Sequence, residues 1–294
     1  MSWEHDTLAL LQGVAATLGH PRVQALHLPP GRPECSGKAA VGESCALALD
    51  AAHGAGAVGL SYVLFGDTLP TLRAQAAALA GQDAFALAQG LAASPQLQGG
   101  TPRVLGLAAA NALTLALLRR AGWAWPAAAD GVAGLPIVHG QRVGMVGWFQ
   151  PLAEPIRAAG ASLVVLELRA DLQGTHDGIT ITDRPEALAD CDAVLCTGTV
   201  LLNGTLAAVR DAARRATRFA LLGPSAGLLP DALFAAGVTD LAGTEVVDAQ
   251  AHREALAGGQ RRPGATRKFA LHAAQWPAME VLLGRAAAMR ASPG

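Results

Sequence analysis

Five short stretches carry the glycines and small polar side chains that could recognise a ligand. They are Gly147-Trp148-Phe149, Glu167, Thr197-Gly198-Thr199, Gly223-Pro224-Ser225 and Gly243-Thr244 with Glu245. Each closes an apolar run of the kind that forms a fully buried strand. Threonine and serine hydroxyls both donate and accept, and glycine lets a ligand approach the backbone. Asn203, beyond Thr199, and Asn111, inside an apolar helix, add two amides. This chemistry is hydrogen-bonded recognition of a small molecule, whereas acid-base catalysis would need Glu167, Glu245 or a histidine within reach of the substrate. Taken singly, each group is an ordinary turn or cap residue, and only their convergence on one rim would make a site.

Sharper catalytic motifs fail on spacing. Val143-Gly144-Met145-Val146-Gly147-Trp148 lacks the Gly-x-Gly-x-x-Gly order of a dinucleotide loop, although Glu167 stands where a ribose-binding acid would. Gly31 to Lys38 has one residue too many for a P-loop and Ala39 in place of its hydroxyl. Gly223-Pro224-Ser225-Ala226-Gly227 matches a nucleophile elbow, and Asp248 with His252 or His272 follows in hydrolase order. The sheet before the serine and the oxyanion loop of that fold are nevertheless lacking. The eight histidines are scattered, and Cys191 and Cys196 lie at opposite ends of one strand region, so no metal site is readable from spacing. A metal ion is one candidate cofactor, and a nucleotide or S-adenosylmethionine is a weaker one.

The elements that must position these residues follow from periodicity. Trp3 to Leu18 is expected as an amphipathic helix, and Val23 to Leu28, Ser44 to Leu49 and Ala57 to Phe65 as a three-stranded antiparallel meander. Helices are expected at Leu72 to Leu79, Ala84 to Ala92 and Val104 to Ala121. From Gln141 onward strand and helix alternate, as in a parallel sheet covered on both faces. Strands are expected at Arg142 to Trp148, Ser162 to Leu168, Ala193 to Thr197, Phe219 to Gly223 and Thr239 to Ala242. Helices are expected at Leu152 to Ala159, Asn203 to Ala216, Asp231 to Ala236, Ala249 to Leu256 and Trp276 to Met289. The turn at Thr197-Gly198-Thr199 should present free amide N–H groups, with Asn203 as the N-cap of the helix after it. The basic stretch Arg261 to Lys268 is expected as a solvated loop, one able to meet an anionic ligand. The fold class is α/β: an α+β domain over 1–130 followed by a Rossmann-like parallel-sheet domain over 131–294.

Composition sets the outer limits. With 51% hydrophobic and 15% charged residues in 294, the chain can bury a sizeable core. A formal net charge of −1 gives no global attraction for nucleic acid or an anionic membrane. The four cysteines form no CxxC pair or disulfide framework, which fits a reducing, cytoplasmic compartment, and Glu4 and Asp6 do not suit a signal peptide. Val104 to Leu118 is apolar but is expected to be too short to span a bilayer. The expected partners are a small-molecule ligand or metal complex and a second copy of the chain in a homodimer or other homo-oligomer, with neither nucleic acid nor membrane.

The second half of the chain resembles the putative heavy-metal chelation proteins. The resemblance rests on Val143-Gly144-Met145-Val146-Gly147, Thr197-Gly198-Thr199 with Asn203, Leu222-Gly223-Pro224-Ser225, and Ala235-Ala236-Gly237-Val238 leading to Leu241-Ala242-Gly243-Thr244. In the first half, Val58-Gly59-Leu60-Ser61-Tyr62 and Leu105 to Leu113 look like the enolase-N-terminal-like domain that members carry. The resemblance implies an enolase-N-terminal-like domain joined to a Rossmann-like one, with a ligand cleft between them and a heavy-metal chelation role. Relatives often have His-Phe-Pro after the first strand's glycine, where this chain has Trp148-Phe149-Gln150. A candidate metal-binding side chain is therefore missing.

Overall fold

The computed structural model describes residues 2–30, 44–63, 67–128, 134–259 and 261–291. Cys35, the stretch Gly31 to Lys38, Phe65 and the expected boundary at about residue 130 lie outside the described residues.

The chain opens with α1 (Trp3–Leu18), which buries Leu11, Val14 and Leu18 and stops where Gly19 takes a left-handed φ of 86°. Strands β1 (Val23–His27) and β2 (Ser44–Leu49) pair antiparallel. After α2 (Ala51–Gly54), β3 (Val58–Tyr62) completes the three-stranded meander. Then come α3 (Thr68–Gln75), α4 (Ala84–Ala88) and α5 (Thr101–Arg120). α5 passes directly over β3, and a Cβ on Gly59 would collide with the Ala108 carbonyl and the Ala112 backbone. Glycine at 59 is what allows this approach.

α5 is longer than its apolar run suggests. Among the described residues it is one helix long and apolar enough to cross a membrane by length and composition, and 94% of that window is buried inside the protein. It packs against α1, α4, β2 and β3. Near its start, Arg103 is 3% exposed yet fully partnered. It donates to Glu4 Oε1 at 2.7 Å, Leu201 O at 2.9 Å and Ala93 O at 3.1 Å, and its guanidinium lies over the Trp3 ring. A buried charge is tolerable only with such partners.

The remaining elements are β4 (Arg142–Val146), α6 (Gln150–Ala158), β5 (Ser162–Leu166), β6 (Gly174–His176), β7 (Ile179–Thr182), β8 (Ala193–Thr197), α7 (Val200–Asn203) and α8 (Leu206–Ala212). They are followed by β9 (Arg218–Leu222), α9 (Asp231–Ala235), β10 (Asp240–Val246), α10 (Ala249–Gly258), β11 (Thr266–His272) and α11 (Met279–Ala291). Together the strands form an eight-stranded sheet in the order β11-β10-β9-β8-β4-β5-β7-β6. The six from β10 to β7 run parallel, and β11 and β6 are antiparallel edges. The fold class is therefore the expected one, an antiparallel α+β unit followed by a Rossmann-like parallel sheet. One apolar core joins the N-terminal helices to one face of this sheet through Val194, Cys196, Phe219 and Leu221, and a second core covers the other face. α11 returns to pack on α1 and α5.

Three elements depart from expectation. The expected solvated loop at Arg261 to Lys268 runs into β11, which pairs with β10 along its whole length. The β6–β7 hairpin was not expected, although Asp177 and Gly178 (φ 50° and 80°) form its turn. The helix expected from Asn203 is split at Gly204, which sits at φ 73° between α7 and α8.

Candidate functional site

The strand order singles out one candidate location for a site. From β4 the chain goes outward through β5 and β7, then returns to place β8 on the other side of β4, with β9 and β10 beyond it. The order reverses between β4 and β8, and in open α/β sheets the crevice outside the carboxyl strand ends at such a reversal is where ligands bind. Gly147, just after β4, holds a φ of 80°, and a Cβ there would sit 3.2 Å from Thr197 Cγ2. The two chain ends meet side by side.

Gly147, Trp148, Phe149, Glu167, Thr197, Thr199, Gly223 and Pro224 are partly exposed along this rim, while Gly198 and Ser225 are buried beneath it. Their polar groups are largely engaged with one another. Glu167 clamps the ends of β4 and β5, with Oε2 accepting from Trp148 N and Oε1 from Arg169 N, both at 3.0 Å. The Thr197 and Thr199 hydroxyls share a hydrogen bond of 3.1 Å. The amides expected to be free at this turn are engaged: Gly198 N donates to Leu222 O at 2.7 Å and Thr199 N to Thr197 Oγ1 at 3.3 Å. The cause is that ladder pairing continues one residue past β8, and Gly223 N likewise donates to Ala242 O.

Gly243 and Thr244 are not a chain reversal, because antiparallel pairing with β11 extends β10 from Ala242, opposite the end of β9, on to Val246. They still adjoin the rim, since a Cβ on Gly243 would lie 3.3 Å from Gly223 O. Pairing also brings Lys268 beside Thr244, and its ammonium donates to Thr244 Oγ1 at 2.7 Å. Lys268 lies on the solvent side of β11, and desolvation by burial, then Arg261, lowers its pKa. Among the described residues it has no carboxylate within salt-bridge distance. Reading 261–268 as a loop hid this residue, and the alternation of buried Ala265, Phe269 and Leu271 was the signal that could have found it.

Asn203 stands apart from the rim. It is exposed, and its Oδ1 accepts from Thr205 N at 3.1 Å and Thr205 Oγ1 at 2.6 Å, so it shapes the α7–α8 turn in place of capping a helix that starts at 203.

Asn111 and Ser225 belong to the seam between β3 and the Gly223–Gly227 segment. Asn111 Nδ2 donates to Leu60 O at 2.6 Å and Ser225 O at 3.3 Å, and Ser225 Oγ accepts from Tyr62 N at 3.1 Å. A cavity of about 10 Å³ remains at the seam, with the partly exposed Pro224, Gly227, Thr244 and Glu245 among its lining. Asp248 accepts from Ala251 N as a helix cap, and His272 Nδ1 lies 3.2 Å from Asp240 at the opposite end of the sheet. No triad assembles around Ser225 from the residues that the hydrolase order offered.

The described residues offer no donor set suited to a bare heavy-metal ion. Among the described residues, no group of three or more His, Cys, Asp and Glu is placed to hold one. Thiolates are the ligating form, and burial pushes the Cys45 thiol to about 12 and Cys196 up as well. Cys191 is also raised, by burial first, with Arg142 opposing.

Fold and rim together define an α/β protein with a crevice at the strand ends, at a topological switch point. Residues 130–275 match the model of the family described as putative heavy-metal chelation, and over that span the chain belongs to this family. An uncharacterised protein of Methanocaldococcus jannaschii is 43% identical over 61 residues, which are 21% of this chain and 24% of that relative. The match thus spans about a quarter of the curated relative's length. Two crystal structures of proteins of unknown function from the same family share the fold. The one from Pyrococcus horikoshii has a TM-score of 0.65 at 15% identity, covering 90% of this chain and 99% of that one. The one from Desulfitobacterium hafniense has a TM-score of 0.61 at 22% identity, covering 90% and 98%.

Proposed function

We propose that this chain is a cytoplasmic binding protein for a small anionic organic molecule, or for the metal complex of one, held along the rim from Trp148 to Lys268. The observation that carries the reading is the reversal of strand order between β4 and β8, with Gly147-Trp148-Phe149 and Thr197-Gly198-Thr199 at the reversal itself. Neighbouring strands lie about 4.8 Å apart, so Thr244 and Lys268 on β10 and β11 stand about 10 to 15 Å from β8, a span that a metabolite can bridge. Lys268 supplies a cation with no carboxylate partner among the described residues, which supports an anionic group on the ligand. Thr197, Thr199 and Gly223 would line its middle.

The family's description supports a metal in the ligand, and the poor donor set supports a metal that arrives already chelated. An enzyme acting on a small anionic metabolite at the same rim is the alternative. It is less well supported, because Glu167 is committed to two backbone amides and Glu245 to Arg267.

Native mass spectrometry with elemental analysis of the freshly purified full chain tests the reading. A non-covalent organic mass is expected on the wild type and should be lost on Thr199→Val and Lys268→Ala, both folded by circular dichroism. A protein that carries metal with no organic mass, or a mass retained by both variants, would count against it.

A further inference from the structure

Asn111 is 4% exposed, and its amide can point only one way. Both Nδ2 contacts are to carbonyl oxygens, Leu60 O at 2.6 Å and Ser225 O at 3.3 Å, so a reversed amide would set oxygen against oxygen. Oδ1 therefore faces the other way, where it is buried and no donor among the described residues reaches it. Asn111 and Gly227 both line the cavity of the seam, whose wall also takes in Leu60, Thr244, Trp125 and Phe269, and a Cβ on Gly227 would lie 3.8 Å from Oδ1. Genuinely empty cavities are apolar, whereas this one has a buried acceptor in its wall and a volume of about 10 Å³, the least that one water molecule requires.

We infer that this cavity is a binding site for a single water molecule that donates to Asn111 Oδ1. The water completes the hydrogen bonding of a polar side chain that ties α5 to both β3 and Ser225. The joint between the first and second halves of the chain is then wet at its centre. This inference does not depend on the rim ligand.

Gly227 offers the probe. Its φ of −98° and ψ of 13° are open to any L-residue, and a Cβ there would lie 3.7 Å from Asn111 Cγ and 3.8 Å from Oδ1, in ordinary contact. Gly227→Ala should therefore fit without a clash and expel the water. If the site is hydrated, the variant leaves Oδ1 without a donor and unfolds at lower urea concentration than the wild type. If the cavity is dry, the methyl fills a void and restricts the unfolded chain, so the midpoint rises and the inference fails. A crystal structure of the wild-type full chain decides independently, and alone should Gly227→Ala not fold. Density for a water within hydrogen-bond distance of Oδ1 supports the site, and empty density there overturns it.

Discussion

Tyr62 and Ser225, 163 positions apart in the chain, meet across the seam, where the Tyr62 amide donates to Ser225 Oγ at 3.1 Å. Tyr62 ends the outer strand of the small sheet, and Ser225 starts a turn at the rim of the large one. The hydroxyl that sequence alone offered as a nucleophile is thus a structural acceptor, 2% exposed.

Ser225→Ala should remove this hydrogen bond and lower stability by about 1 kcal/mol, read from urea unfolding. Fluorophosphonate should leave Ser225 of the native protein unlabelled, and labelling there would return the hydrolase reading to life.

Arg103 and Glu4 form a buried pair, their side chains 4% and 14% exposed. Glu4→Ala should cost about 3 to 5 kcal/mol, because the guanidinium stays behind without its counter-charge. Adding Arg103→Met should cost less than the two single changes summed, and strict additivity in the cycle would show that the ion pair contributes nothing beyond its parts.

His27 on β1 and His252 on α10 both have pKa values below the ordinary 6.5. Desolvation leads in each, followed by Arg253 for His27 and by His27 for His252. Their protonation is favoured in the unfolded chain, so stability should be full above pH 7 and fall as pH drops through 6.5. The urea midpoint should decline between pH 7.5 and 5.5, and by less in His27→Gln. An equal decline in both proteins would remove these histidines from the account.

Cys45, Cys191 and Cys196 are buried and free, with burial raising all three thiol pKa values. Iodoacetamide at pH 8 should leave them unmodified in native protein and alkylate them in urea, as followed by peptide mass mapping. Rapid native alkylation of Cys196 would mean that the face of β8 toward the N-terminal helices opens in solution.

Much of the fold was legible because periodicity and glycine breaks mark it locally. α1, β2 and β8 were placed residue for residue, and the switch from meander to parallel sheet followed from the alternation after Gln141. β11 was missed because the four basic residues of Arg261 to Lys268 outweighed the alternation of Ala265, Phe269 and Leu271, and basic side chains are tolerated on a strand whose outer face is solvated. Asp177-Gly178 was a hairpin signal in plain view. The rim residues were found by their position at strand ends, but their mutual hydrogen bonds were not, since Glu167 meets Trp148 N only once β4 and β5 are paired. Asn111 was recognised as costly from its apolar setting, whereas its partners Leu60 and Ser225 lie 51 and 114 positions away and no local pattern names them.

The return of α11 to α1 and α5 bears on synthesis at the ribosome. Translation makes α1 and α5 before α11, so the apolar surface they present to Leu282 and Ala286 has no cover until α11 leaves the exit tunnel. The first half of the molecule is thereby made to wait for the second, and a nascent chain stopped short of Met279 should be a chaperone client rather than a native half-protein.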